Sequence, residues 1–125
     1  MLTNLQVGWA AILVGIAAGM MTGMFFHKDD FLGGYTSWSR RLTRLGHIAL
    51  VGLGLINICF ALSAQALDIN DDLHLSSILL IIGVITMPTV CFLSAFRKWF
   101  RNLFAIPVLS VLGGVAVFLW RILFR

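Results

Sequence analysis

The chain has 125 residues, of which 60% are hydrophobic and only 11% charged, with a net charge of +4 and a mean hydropathy of +0.99. A soluble domain carries about a quarter charged residues, so this composition argues against a water-soluble globule. The basic balance does not indicate nucleic acid, because the Lys and Arg residues flank apolar blocks, where lipid headgroups account for them.

Four apolar blocks, 5–26, 45–66, 75–96 and 103–123, follow one another with short connectors. Each is about 22 residues long and reaches roughly 33 Å as a helix, enough to cross the hydrocarbon core of a bilayer. The predicted fold is an all-α integral membrane protein: a single domain over 1–125, built as a four-transmembrane-helix bundle with a short interfacial helix in the first connector.

Block one has no Lys or Arg before Lys28, so it reads as a retained span rather than a signal peptide. Ala11, Gly15, Gly19 and Gly23 recur every four residues along it. Small residues in that register predict a face where another helix backbone approaches closely, either within the bundle or from another subunit. The first connector contains Gly33 and Gly34, which break a helix. Tyr35, Trp38, Arg41, Leu42 and Leu45 then fall at helical spacing, the pattern of an interfacial helix.

Block two carries Asn57 at mid-span. An amide in hydrocarbon needs partners. Rise arithmetic puts Thr86 of block three and Gly113 of block four at about the same depth, so Asn57 is expected to bond to Thr86 or to a freed carbonyl. Cys59 and Cys91 lie at different depths and predict no disulfide. The second connector has no Lys or Arg but holds Asp68, Asp71 and Asp72. Asp71 and Asp72 are placed to cap the third helix.

Pro88 removes a backbone bond inside block three, and a kink is expected there. The tight third connector carries Arg97, Lys98, Trp99, Phe100 and Arg101 and makes blocks three and four a helical hairpin. Pro107 falls in the first turns of block four, where proline costs less. The positive-inside rule puts connectors one and three in the cytoplasm, with both termini on the other side. The expected location is the bacterial cytoplasmic (inner) membrane.

The sequence has no Glu, and its five Asp all lie in connectors. Proton exchange through an intramembrane carboxylate therefore has no candidate group. His27 and His47 bracket the first connector, and two imidazoles from neighbouring helices are the ligand set of a b-type haem. The leading expectation is a non-catalytic small multi-pass subunit. Its glycine face would pack against other helices of a larger assembly, such as an energy-transducing membrane complex. A haem b-binding or quinone-linked electron-transfer anchor using His27 and His47 is the first alternative. A small channel or transporter using Asn57, Thr86 and the Pro88 kink is the second. The expected partners are membrane lipids and other membrane subunits or a second copy, with no nucleic acid.

Overall fold

A computed structural model describes residues 1–69 and 73–124. Its four long helices are α1 (Leu2–Phe25), α2 (Trp38–Ala66), α3 (His74–Phe96) and α4 (Ala105–Leu123). All four are long and apolar enough to cross a membrane. Asp71 and Asp72, the expected caps of α3, lie outside the described residues.

The helices pack in chain order. α1 lies on α2, α2 on α3 and α3 on α4, while α1 and α4 form no substantial interface. The bundle is therefore open. The two central helices are 44% buried over their most apolar stretch and the two flanking ones 17%. Two small apolar cores result. One joins Phe60, Ala64, Leu73 and Leu80 at the end of the bundle holding the N-terminus; the other joins Ala11, Leu50 and Val84 nearer the middle.

The first connector corrects the expectation of a separate interfacial helix. Residues 38–45 are the opening turns of α2, which runs unbroken for 29 residues. Ser37 starts it: its Oγ accepts the backbone N–H of Arg40 at 3.2 Å and donates to the Leu32 carbonyl at 2.6 Å. That is an ordinary serine N-cap. Before it, a 3-10 turn spans Phe31–Gly33. Gly33 and Gly34 have φ of +85° and +93°, a region open to glycine and closed to most side chains.

α2 ends in a Schellman motif. The Ile69 N–H donates to the Ala64 carbonyl and the Asp68 N–H to that of Gln65, each at 3.2 Å. Asp68 takes the left-handed position with φ of 54°, which Asp tolerates better than bulkier residues. Ile69 folds back onto the Phe60–Ala64 core, the apolar contact that usually accompanies this motif.

Connectors one and three meet at the same end of the bundle. Trp38 Nε1 donates to the Ser94 carbonyl at 2.8 Å, and Ser39 Oγ to that of Ala95 at 2.6 Å. These bonds tie the start of α2 to the last turn of α3. The antiparallel pairing puts seven Lys and Arg residues, at positions 28, 40, 41, 44, 97, 98 and 101, at this end.

Candidate functional site

The most developed polar feature of the helix interior joins three helices. Asn4 of α1 and Asn57 of α2 are almost fully buried. Asn4 Nδ2 donates to Asn57 Oδ1 at 2.9 Å and to the Ser77 carbonyl of α3 at 3.2 Å. Ser77 Oγ donates to Asn4 Oδ1. Asn57 Nδ2 donates to the carbonyls of Leu53 at 3.0 Å and Leu80 at 3.3 Å. Both amide groups are thus occupied on their oxygen and nitrogen sides. A buried amide left unpaired costs a desolvation penalty of about 1–3 kcal/mol, so this closed network holds α1, α2 and α3 in one register.

Of the two partners expected for Asn57, Thr86 or a backbone carbonyl, it takes carbonyls, those of Leu53 and Leu80, and not Thr86. Thr86 Oγ1 donates to the Ile82 carbonyl of its own helix at 2.7 Å. A helical threonine has an acceptor four residues back, so equal depth did not make it a partner. Asn4, which supplies the real partner, lies just outside the apolar block read from the sequence.

The small-residue face of α1 also differs from the expected set. Gly8, Ala11 and Gly15 are buried. A Cβ on Gly15 would sit 2.8 Å from Val51 Cγ2, and one on Gly19 3.0 Å from His47 Cδ2. Gly23 has nothing within 4 Å. Residues four apart advance about 40° beyond a full turn, so by Gly23 the stripe has rotated off the contact. The face meets the chain's own α2, not another subunit, and that part of the leading expectation is corrected. Gly8, which the sequence reading omitted, makes the closest approach: its added Cβ would lie 2.7 Å from the Gly54 carbonyl oxygen. Its seven-residue spacing from Gly15 is the signal that could have found it.

The structure does not bring His27 and His47 together. His27 is exposed, and its Nδ1 lies 2.7 Å from the Met24 carbonyl. The His47 ring packs on Gly19, inside α1, whereas His27 lies in the turn beyond the end of that helix. His47 Nδ1 is buried with no hydrogen-bond partner among the described residues.

Pro88 is buried within α3, and with Thr89 and Phe92 it lines an apolar groove across to α1. This groove, of about 410 Å³, also takes in Ala10, Ala11 and Leu50. A second one, of about 390 Å³, runs between α2 and α4 along Cys59, Leu80 and Phe118. Cys59 and Cys91 are free thiols.

At the basic end Arg40 is buried to 4% exposure. Its guanidinium donates to the carbonyls of Phe26 at 2.6 Å and Lys28 at 3.5 Å, and stacks 4.5 Å from the Phe26 ring centroid. It thereby serves the carbonyl-rich end of α1, where a cation is favoured. Arg40→Met should cost about 2 kcal/mol, the range of hydrogen bonds to a charged group, and should free the first connector. Limited proteolysis in detergent checks this: faster cleavage within 27–37 is expected, and an unchanged rate would remove the clamp role.

Comparison with protein-family models, with curated proteins and with solved structures found no match.

Proposed function

We propose that the chain is a non-catalytic multi-pass membrane subunit that packs against helices of a larger membrane assembly. The observation that carries this reading is the open bundle. α1 and α4 do not close on each other, and the grooves beside α2 and α3 have apolar walls suited to another helix. Close packing without voids is what stabilises helices in lipid, so these grooves favour occupation by a partner. The Asn4–Asn57–Ser77 network supports a structural role as well, since its amides are bonded to one another and to backbone.

On this reading the assembly sits in the bacterial cytoplasmic membrane, and the positive-inside rule favours basic connectors toward the cytoplasm and both termini opposite. An energy-transducing complex is one such setting.

Extraction from the native membrane in mild detergent tests the reading. The protein should run well above its 13.8 kDa monomer mass after allowance for detergent. Ala10→Trp fills the α1–α3 groove from an exposed position. It should release the monomer without lowering its melting temperature. A wild-type protein that extracts as a stable monomer would overturn the proposal.

A further inference from the structure

We infer that the groove between α3 and α4 is a binding site for an anionic phospholipid, with its phosphate held by the basic turn that closes the groove. The inference rests on the membrane reading above and goes beyond it by naming the ligand and the site.

The groove has a volume of about 230 Å³ and runs along Ile85, Thr89 and Leu93 of α3 to Leu103 and Ile106. From residue 85 to residue 93 it follows about 12 Å of helix, a stretch that holds the headgroup-proximal part of one extended acyl chain. Its hydroxyls are not free for a polar ligand. Thr86 and Thr89 donate to the carbonyls of Ile82 and Ile85, at 2.7 and 2.6 Å. What remains facing the groove is hydrocarbon.

The chain that closes it, between Leu93 and Leu103, carries Arg97, Lys98 and Arg101, all exposed. Their side chains make no hydrogen bond or ion pair among the described residues. The other basic side chains nearby differ. Arg40, Arg41 and Arg44 donate to the carbonyls of Phe26, Thr36 and Tyr35. The three arginines of the first connector are thus engaged with their own backbone, and its Lys28 faces the Phe25 ring at 5.9 Å, while the turn over the α3–α4 groove has three uncommitted cations clustered within five residues and no carboxylate within it. Trp99 and Phe100, packed edge to face at 5.5 Å, add the aromatic pair that settles at headgroup level. Positive charge on the turn that joins the two walls of an apolar slot, at Leu93 and Leu103, matches a phosphate ester with its acyl chain. A zwitterionic lipid offers the same tail but a compensated headgroup.

The experiment uses the full chain purified in detergent, where orientation in a bilayer does not matter. Native mass spectrometry follows titration with phosphatidylglycerol or phosphatidylcholine of identical acyl chains. Phosphatidylglycerol should be retained at least about tenfold better, and the combined variant Arg97→Gln, Lys98→Gln and Arg101→Gln should abolish that preference. Lys28→Gln, on the other connector, should keep it. Ile106→Trp fills the groove from a half-exposed position with every cation in place, and should lower retention of both lipids. Equal retention of the two lipids by the wild type would overturn the inference, as would a preference that survives the triple variant. Either failure leaves the assembly size unaffected, so it is distinct from failure of the subunit reading.

Discussion

Gly54→Ala should destabilise the protein by about 1–3 kcal/mol, the usual cost of forcing one extra carbon into a packed interface. The added Cβ would lie 2.7 Å from the Gly8 carbonyl oxygen and 2.9 Å from Ile12 Cγ1. Gly8→Ala should behave alike, meeting the Gly54 carbonyl at 2.7 Å and Ile58 Cγ1 at 2.6 Å. A side chain can rotate away, but a helix carbonyl cannot, so α1 and α2 must separate. Gly23→Ala and Gly52→Ala are the matched controls, because neither added Cβ has a neighbour within 4 Å. They should be neutral or slightly stabilising, since Ala is the better helix former. Thermal melts in detergent, followed by Trp fluorescence, separate the two pairs. A Gly54→Ala protein that melts with the wild type would show that the close approach contributes nothing.

This contrast also shows why a stripe of small residues is only partly legible in sequence. Spacing reveals that glycines share a face, but the drift of that face decides which of them touch. The contact follows Gly8, Ala11, Gly15 and Gly19, with the stripe leaving the interface before Gly23. Which helix fills the face is not encoded in the stripe at all. Here α2 supplies Gly54, Val51 and His47, and the outer side of α1 remains apolar and exposed, at Leu13, Ile16 and Met20.

The four helices themselves were readable because each is a long apolar run, and α3 and α4 begin and end within two residues of the blocks read from hydropathy. α2 differs in having no break between the turns expected to lie at the interface and the span from residue 45. Arg40, Arg41 and Arg44 lower the local hydropathy and resemble a connector. The helix in fact starts at the Ser37 cap, and Arg40 is buried because α1 ends beside it and offers carbonyls. The closing Schellman turn depends on Asp68 adopting positive φ, which no apolar pattern reports. The open arrangement of α1 and α4 was equally invisible, since hydropathy counts spans but does not say which of them meet.

Asn57→Leu should cost about 1–2 kcal/mol, and the loss should be shared with Asn4 rather than with Thr86. Removing the Asn57 amide takes from Asn4 Nδ2 its 2.9 Å acceptor, and apolar surroundings offer no water in its place. Hydrogen bonds between membrane helices average about 0.6 kcal/mol in double-mutant cycles and reach about 1–2 kcal/mol in model peptides, so a double-mutant cycle decides the assignment better than either single variant. The cycle of Asn4→Leu with Asn57→Leu should give a coupling of about 1 kcal/mol. The cycle of Thr86→Val with Asn57→Leu should give essentially none, because the Thr86 hydroxyl is bonded within its own helix. Detergent unfolding curves supply all four corners of each cycle. Additive losses at Asn4 and Asn57 would dissolve the three-helix network, and coupling at Thr86 would restore the mid-span polar pair that equal depth suggested. The same result bears on transport. An Asn57 bonded to Asn4, Leu53 and Leu80 has both amide hydrogens already donated, so a solute would have to displace one of these bonds to be held by it.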